Sequence, residues 1–209
     1  MEDKSISLQT LRRLPVYLHY LKHIREEYTS VSATFIADKL GLNNVQVRKD
    51  LAAVSGSGRP KTGYFTDELI LQIEKYLGCE SGTKAVLVGA GNLGKALVSY
   101  GGFADYGIDV ICAFDNDPEV YGKSIGTKPI LPVEKMDEFF GKEQVKLGII
   151  TVPMAQAQGV CDKLVELGIK AIWNFAPTIV RVPQGVVAEN ENLASSLAVL
   201  SKHLQNIDI

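Results

Sequence analysis

Apolar residues recur at helical spacing in the first part of the chain. Over residues 8–28 their spacing is near 3.6, the period of an α-helix, which predicts an amphipathic helix. Pro15 lies inside this pattern. Because proline removes a backbone donor and clashes with the preceding turn, we expect the helix to begin close to Pro15 rather than to run through it.

Two further short helices are predicted next. Ser32 can cap a helix that ends at Gly41, and Asn43 or Asn44 can cap a third helix over 45–54. Two short helices joined through Gly-Leu-Asn predict a helix-turn-helix, whose second helix enters the major groove of DNA.

The polar face of the third predicted helix has the side chains for base and phosphate contacts. Gln46, Lys49 and Asp50 lie on it, with Arg48 nearby. Gln pairs with adenine, Arg and Lys pair with guanine, and Lys also contacts phosphate. On this segment alone, a solvated face in a three-helix bundle is an equal alternative.

The segment 55–64 favours the DNA-binding alternative. It is rich in glycine and basic, as the wing of a winged helix is, and it can place Arg59 and Lys61 along the phosphates or in the minor groove. A helix over 66–77, capped by Thr66, completes this region.

From residue 84 onward strand patterns alternate with helix patterns, which predicts an α/β domain with a parallel sheet. The short segment 78–83 links it to the first region. The predicted strands are 84–88, 108–115, 128–131, 145–153, 170–177 and one near 185–188, with helices over 133–140 and 155–167 among them.

The first of these strands runs into a glycine pattern typical of dinucleotide-binding domains. Gly89 permits the tight turn out of the strand, Gly91 lets the backbone approach a pyrophosphate, and Gly94 lets the following helix pack closely on the sheet. The phosphates would then lie at the N-terminus of that helix.

An acidic residue ends the next strand at the expected distance. Asp115 lies 21 residues after Gly94, where a carboxylate accepts hydrogen bonds from the adenosine ribose. The alternative is a turn-forming role ahead of residues 116–118. The segments 151–153 and 174–177 also end strands, and we expect them to form the nicotinamide side of the cleft.

Charge is distributed unevenly along this chain of 209 residues. Residues 12–61 contain nine Lys and Arg against four Asp and Glu, whereas residues 81–209 contain eleven against fourteen. A basic segment on an otherwise acidic protein suggests a polyanionic partner for that segment.

Other features of the composition favour a cytoplasmic protein. Apolar residues make up 46% of the chain and charged residues 22%, no apolar run has membrane-spanning length, and the N-terminus lacks the features of a signal peptide. Cys79, Cys112 and Cys161 are odd in number and widely spaced, so we expect reduced thiols, with Cys112 in the core. No metal site is expected.

A last amphipathic helix is predicted over 193–204, after the sheet has ended. Such a helix must pack on its own domain or on a partner subunit, and we favour a partner.

Taken together, these motifs resemble the Rex family of bacterial redox-sensing transcriptional repressors over essentially the whole chain. The resemblance rests on segments 13–18, 46–51, 63–64, 89–94, 113–115, 151–153 and 174–177. It implies a homodimer with winged-helix domains, Rossmann domains that each bind NADH or NAD, and a C-terminal helix exchanged between subunits. In that family NADH closes the dimer and releases a palindromic DNA operator.

The resemblance also assigns domains and site residues. It implies a DNA-binding domain over 1–80, an NAD(H)-binding Rossmann domain over 84–190 and a partner-packing helix over 192–206. The expected DNA-binding residues are Ser32, Asn43, Asn44, Gln46, Arg48, Lys49, Arg59 and Lys61. The expected cofactor-binding residues are Gly89, Ala90, Gly91, Asn92, Leu93, Gly94, Tyr100, Asp115, Asn116, Thr151, Val152, Pro153, Asn174, Phe175, Ala176 and Pro177.

Three departures from the family pattern affect what can be transferred. His19 stands where an arginine is expected in the first helix, and Asn192 stands where an acid is expected before the last one. An Arg–Asp contact between the domains therefore cannot be carried over. The segment 52–58 also differs from the usual start of the wing.

Two other classes of function compete with a regulator. A nicotinamide-dependent oxidoreductase needs a proton donor or acceptor beside the hydride site, but His19, His23 and His203 all lie outside residues 84–187. A coenzyme A or adenylate-binding module without DNA binding is disfavoured by Asp115 and by the basic N-terminal segment. The sequence therefore favours a regulator with no catalytic residues.

Overall fold

The computed structural model describes residues 6–205, which divide into two compact units between Ser81 and Gly82. Residues 1–5, which belong to the expected DNA-binding domain, and residues 206–209, of which 206 belongs to the expected C-terminal helix, lie outside the described residues. Among the described residues, none of the helices has the length and apolar character needed to cross a membrane.

The first helix, α1 (Leu8–Ile24), begins earlier than predicted. Ser7 precedes it and accepts a hydrogen bond from the Thr10 backbone N–H at 3.1 Å, so a side chain replaces one of the helical bonds missing at this end. The helix runs through Pro15, and the prediction that it begins near Pro15 was wrong. Burial of Leu14, Tyr17 and Leu18 on either side of the proline stabilises the continuous helix.

The rest of the N-terminal unit forms a helix-turn-helix closed by a small sheet. Ser32 caps α2 through the Phe35 N–H, Gly41 ends it in the left-handed conformation, and Asn43 rather than Asn44 caps α3. The elements after α1 are β1 (Ser30–Val31), α2 (Ala33–Leu40), α3 (Asn44–Ser55), β2 (Tyr64–Phe65) and α4 (Thr66–Leu77), with β1 and β2 antiparallel.

Two side chains of this unit lie elsewhere than predicted. Thr66 does not cap α4; Phe65 occupies the cap position, and the buried Thr66 hydroxyl donates to the Tyr28 carbonyl instead. Asp50 does not lie on the polar face of α3, because it is 1% exposed and faces α1. Both polar groups are buried with hydrogen-bond partners, as burial of a polar group requires.

The second unit is a seven-stranded sheet with helices along the chain between its strands. Its elements are β3 (Thr83–Val88), α5 (Asn92–Ser99), β4 (Ile108–Asp115), β5 (Ser124–Ile125), β6 (Lys128–Pro132), α6 (Met136–Phe140), β7 (Leu147–Ile150), α7 (Met154–Glu166), β8 (Ala171–Asn174), β9 (Val187–Asn190) and α8 (Leu193–Gln205).

The strand order in this sheet is β5-β6-β4-β3-β7-β8-β9, and all neighbours are parallel except the short edge pair β5–β6. The predicted parallel sheet is confirmed, while β5 was not predicted. Central strand β3 is apolar and almost fully buried from Ala85 to Val88, as expected for a strand covered on both faces. Because β3 lies at the centre, the loops after β3, β4 and β7 meet at one edge of the sheet.

Helix α8 forms over the predicted residues but exposes its apolar side. Leu193, Leu197, Leu200 and Leu204 are each more than half exposed in the single chain. Asn192 caps the helix, because its side-chain oxygen accepts hydrogen bonds from the backbone N–H groups of Ala194 and Ser195 at 3.1 and 3.2 Å.

Candidate nucleotide cleft and nucleic-acid interface

The glycine-rich loop after β3 packs directly on the end of β7. Gly89 has a positive φ of 100°, and a Cβ atom there would lie 2.9 Å from the Thr151 carbonyl carbon and oxygen. A Cβ on Gly94 would clash with the Gly89 carbonyl oxygen. The loop therefore needs glycine at both positions, one for conformation and close approach and the other for helix packing.

Thr151 fixes this loop from the neighbouring strand. Its hydroxyl donates a 2.6 Å hydrogen bond to the Gly89 carbonyl, and its backbone N–H donates to the Val88 carbonyl at 2.9 Å. A Cβ on Gly91 would meet open space, and no side chain among residues 6–205 caps the N-terminus of α5. The N-terminus of α5 is thus left without a side-chain cap, and an uncapped helix N-terminus can bind phosphate.

Asp115 is joined to the same loop. One carboxylate oxygen accepts the Ala90 backbone N–H at 2.6 Å, and the other accepts the Asp117 N–H at 2.9 Å. The second bond is the turn-forming interaction that was the alternative to ribose binding. The two roles are compatible, because a carboxylate has about four acceptor positions and the described residues occupy two of them.

These loops line one cleft of about 1020 Å³, large enough for a dinucleotide-sized ligand. It brings together many of the sequence-predicted cofactor residues: Gly89, Gly91, Asp115, Asn116, Thr151, Val152, Pro153, Phe175 and Pro177.

The other predicted cofactor residues lie behind the cleft surface or away from it. Ala90, Gly94 and Ala176 are buried, and Asn92 and Leu93 begin α5. Tyr100 is 61% exposed and packs against Phe103 with 5.0 Å between ring centres, outside the residues that line the cleft.

Asn174 supports the cleft wall through hydrogen bonds of its buried side chain. Its buried side-chain oxygen accepts the Ala176 N–H at 3.0 Å, and its side-chain nitrogen donates to the Thr178 carbonyl at 2.7 Å and to Asn190 at 2.9 Å. These bonds fix the turn that carries Phe175 to the cleft. Asn174 is thus positioned to shape the wall rather than to face the ligand.

Nine lining residues were not predicted from the sequence. Four of them form a single stripe on α7 at helical spacing, and the others follow β6 or end β3. The stripe could have been found by asking which face of the helix after β7 points toward the strand ends. The unpredicted residues are Gln156, Gly159, Val160 and Lys163 on α7, with Val88, Val133, Glu134, Met136 and Asp137.

Three titratable groups of the cleft, Asp115, Glu134 and Asp137, end β4 or follow β6. The fourth, Lys163, lies on α7 and contacts Asp137 at 2.8 Å. The loops that follow β7 and β8 contribute Thr151, apolar residues and prolines. Within the described part of the chain, no His, Cys or Tyr lines the cleft and no acidic, His or Cys cluster could hold a metal ion.

The free thiols are not among the residues that line the cleft. Cys112 is buried in β4, where burial raises its pKa to about 12. Burial also raises the pKa of Cys79 and of Cys161. The three thiols therefore stay protonated near neutral pH, and Cys112 lies in the core as predicted.

In the N-terminal unit, a second cleft of about 570 Å³ lies between α2, α3 and the loop that follows α3. It brings together Ser32, Arg48, Lys49, Arg59 and Lys61 among the predicted DNA-binding residues. Four basic side chains around one groove form a surface suited to a phosphate backbone.

The predicted wing is a tight turn rather than a long hairpin. Arg59 and Gly63 exchange two backbone hydrogen bonds of 2.7 and 2.9 Å, and Lys61 at the tip has a positive φ of 65°. Lys61 is the one non-glycine residue between positions 6 and 205 in that conformation. The Arg59 guanidinium lies 4.3 Å from the centre of the Phe65 ring and 3.2 Å from Glu68.

The remaining predicted DNA-binding residues lie at the start of α3. Asn43 caps the helix through the Gln46 N–H at 3.1 Å. Asn44 donates to the Thr34 hydroxyl at 3.0 Å, while its own side-chain oxygen is buried with no hydrogen-bond partner among the described residues. Gln46 is exposed, and its amide nitrogen donates to Asp50 at 2.8 Å.

Comparisons with known proteins match both units. The family described as "CoA binding domain" matches residues 80–178, and the family described as "Putative DNA-binding protein N-terminus" matches residues 5–52. The redox-sensing transcriptional repressor Rex of Carboxydothermus hydrogenoformans is 40% identical over 206 residues, covering 98% of this chain and 99% of the relative. The Rex repressor of Brevibacillus brevis is 39% identical over 204 residues, covering 97% and 99%.

Solved structures are similar over the same length. The Rex-family repressor RSP in complex with β-NAD⁺ and operator DNA matches with a TM-score of 0.91 at 33% identity, covering 98% of this chain and 95% of that one. RSP in complex with β-NADH matches with a TM-score of 0.87, again at 33% identity, covering 97% and 96%.

Proposed function

The chain belongs to the Rex family of redox-sensing transcriptional repressors, and we propose that it represses transcription until NADH releases it from operator DNA. In this proposal residues 84–190 bind NADH or NAD⁺, residues 1–80 bind a palindromic operator, and residues 192–206 pack on the partner subunit of a homodimer. The observation that carries the proposal is the presence, in one chain, of a dinucleotide-sized cleft and a basic helix-turn-helix groove.

The cleft supports NAD(H) over a phosphorylated dinucleotide. The uncapped N-terminus of α5 suits the pyrophosphate, and Asp115 has acceptor positions for the ribose hydroxyls. A 2′-phosphate would lie against the negative charge of Asp115, with Glu134 and Asp137 lining the same side. NADP(H) should therefore bind more weakly than NAD(H).

The β7–β8 side of the cleft favours the reduced nicotinamide. NAD⁺ carries a positive charge on its nicotinamide ring and NADH does not. Val152, Pro153, Phe175 and Pro177 give this wall little polarity, and a charge placed in an apolar site without a partner is costly. We therefore expect NADH to favour the closed, DNA-released dimer more strongly than NAD⁺ does.

The same wall argues for a regulator rather than an enzyme. Hydride transfer to a substrate carbonyl requires a proton donor or acceptor near the nicotinamide. Among the described residues, the titratable lining groups are Asp115, Glu134 and Asp137, which end β4 or follow β6, and Lys163, which is paired with Asp137. A protein that binds chromosomal operators must also reach the chromosome, so we propose a cytoplasmic location.

Helix α8 supports the proposed dimer. Its four leucines are more than half exposed in the single chain, and a contiguous apolar stripe of this kind is usually covered by a partner. A dimer with two α3 helices should protect two half-sites about one helical turn of DNA apart. A footprint restricted to one half-site would contradict this arrangement.

The decisive experiment measures linkage between the two ligands. NADH affinity of the full chain is measured by calorimetry with and without a saturating palindromic operator duplex. We expect the duplex to weaken NADH binding by roughly 5–150-fold, and NADH to weaken duplex binding by the same factor. NAD⁺ should produce a smaller change, and coenzyme A serves as a non-cognate adenylate control.

Two outcomes separate the parts of this proposal. Identical NADH affinities with and without DNA would show that the sites are uncoupled, even if both ligands bind. Tight binding of coenzyme A with no response to NADH would instead support an adenylate-binding module.

A further inference from the structure

The buried carboxylate of Asp50 is joined to the exposed surface of α3 through Gln46. Asp50 is 1% exposed, and it accepts a 2.8 Å hydrogen bond from the side-chain nitrogen of Gln46, one helical turn earlier. Asn43 fixes the backbone of the same residue by capping its N–H. Gln46 is thus held at both its main chain and its side chain.

The other partners of Asp50 all come from α1. Arg13 donates from Nε to Oδ2 at 2.7 Å and from Nη2 to Oδ1 at 3.0 Å, Tyr17 donates to Oδ2 at 2.8 Å, and Thr10 donates to Oδ1 at 3.1 Å. With Gln46, five hydrogen bonds converge on one carboxylate. This immobilises the carboxylate by bonds from a second helix, so it is a rigid support for Gln46.

The ionisation of Asp50 determines which way the Gln46 amide points. Burial raises the pKa of Asp50, but the hydrogen bonds from Arg13, Tyr17, Gln46 and Thr10 outweigh burial and hold the pKa below its ordinary value. An ionised carboxylate only accepts hydrogen bonds. The amide nitrogen of Gln46 must therefore face Asp50, which leaves the amide oxygen and the second N–H for other partners.

We propose that Asp50 is a positioning residue for base recognition, which holds the Gln46 amide in the orientation that pairs with adenine in the operator. The free amide oxygen accepts from the adenine 6-amino group, and the remaining N–H donates to adenine N7. Without Asp50 the Gln46 amide can rotate so that its oxygen and nitrogen exchange places. Its hydrogen-bonding groups would then no longer match those of adenine, and the preference for adenine over other bases would be lost. This inference rests on the proposed operator binding.

The test compares operators that differ by one amino group. The full chain binds duplexes in which each adenine in turn is replaced by purine, which lacks the 6-amino group, and affinity is measured by fluorescence anisotropy. We expect one position in each half-site where the replacement weakens binding roughly tenfold. Gln46→Ala should lose about the same factor on the unmodified operator and be insensitive to the replacement.

Asp50→Asn is the variant that decides the inference. In this variant, replacing adenine by purine at that position should weaken binding by twofold or less. The affinity for a scrambled duplex should be unchanged. Tyr17→Phe is the matched control, because it removes one buried hydrogen bond to the other carboxylate oxygen and leaves the bond to Gln46. Tyr17→Phe should keep the full tenfold penalty.

A purely structural role for Asp50 gives a different result. Asp50→Asn would then weaken specific and scrambled binding together, and the tenfold adenine preference would survive, which overturns the inference. If Asp50→Asn does not fold, the combined variant Arg13→Met, Tyr17→Phe and Asp50→Leu replaces the buried polar cluster with apolar groups and removes the support for Gln46. Persistence of the tenfold preference in that variant overturns the inference equally.

Failure of the inference is distinguishable from failure of the proposed function. If unmodified operator is bound but no adenine replacement depends on Gln46, the inference fails and repression by operator binding stands. If no duplex is preferred over the scrambled one, the proposed function itself fails.

Discussion

Two aspartates, one in each unit, differ in burial and in the hydrogen bonds that their carboxylates accept. Asp50 is fully buried in the N-terminal unit, and its carboxylate accepts five hydrogen bonds from side chains. Asp115 ends β4 in the second unit, is partly exposed at the cleft, and accepts two hydrogen bonds from backbone N–H groups.

The difference lies in how much acceptor capacity remains for other molecules. A carboxylate offers about four acceptor positions, so Asp50 has none left and can only support its own fold and Gln46. Asp115 retains some, and it faces a cleft. A charged residue in a predicted site is therefore a candidate ligand contact only where the fold leaves its hydrogen-bonding capacity unfilled.

The largest effect should come from removing the cation beside Asp50. Arg13→Ala leaves a buried carboxylate without its charge partner, and we expect the N-terminal unit to lose about 3–5 kcal/mol of stability. Chemical unfolding of the full chain measures this. Arg25→Ala is the control, because its contact with Asp67 is 3.7 Å long and exposed, and such surface pairs contribute about 0–1 kcal/mol. Equal losses of stability in Arg13→Ala and Arg25→Ala would contradict the expected difference between the buried and the exposed ion pair.

At Asp115 we expect the effect on ligand affinity rather than on stability. Asp115→Ala removes charged hydrogen bonds to the ribose and the bond to the Ala90 N–H, so NADH affinity should fall by about 1.5–3 kcal/mol, and the preference over NADPH should narrow.

Trp173 provides the measurement for this variant. It is the one tryptophan of the chain, and its ring centre lies 4.5 Å from that of Phe175, which lines the cleft. NADH and NADPH titrations can therefore be followed by quenching of its emission. Equal affinities for NADH and NADPH in the unmodified chain would contradict the ribose role and leave only the turn with Asp117.

Acid should destabilise the unit that contains Asp50. Its pKa in the folded chain lies below its ordinary value of about 4. The ionised carboxylate therefore stabilises the fold above about pH 4, and this contribution is lost as pH falls through the folded-state pKa, at about 1.4 kcal/mol for each pKa unit of depression. Unfolding of the N-terminal unit at pH 7 and pH 3 measures the loss. Asp50→Asn should remove most of that dependence, and an unchanged pH dependence would argue against Asp50 as its origin.

The smallest expected effect concerns the tip of the wing. Lys61→Gly relieves a left-handed conformation, so stability should be unchanged or higher by up to about 1 kcal/mol. The same change removes one phosphate contact. The slope of log DNA affinity against log salt concentration should therefore become shallower by about one, for every DNA sequence. Arg59→Ala should give the same change in slope without the gain in stability. A steep, unaltered slope would show that Lys61 does not contact the DNA backbone.

Much of this protein follows from local sequence rules. The spacing of Gly89, Gly91 and Gly94 after an apolar run predicts the turn, and the strand that ends at Asp115 was predicted at both of its limits. These features are set within a few residues of the chain, by backbone conformation and by the burial of an alternating or continuous apolar stretch. The same holds for Ser32 and Gly41 at the ends of α2.

Only the tertiary structure decided which polar groups make their hydrogen bonds inside the protein and which remain available to ligands. Asp50 and Gln46 occupy one helix, and nothing in their spacing shows that α1 supplies Arg13, Tyr17 and Thr10 to the same carboxylate. The α7 stripe in the cleft likewise depends on how a helix packs beside β7. Such contacts join residues far apart in the chain, and their geometry is fixed by the packing of whole elements rather than by any local pattern.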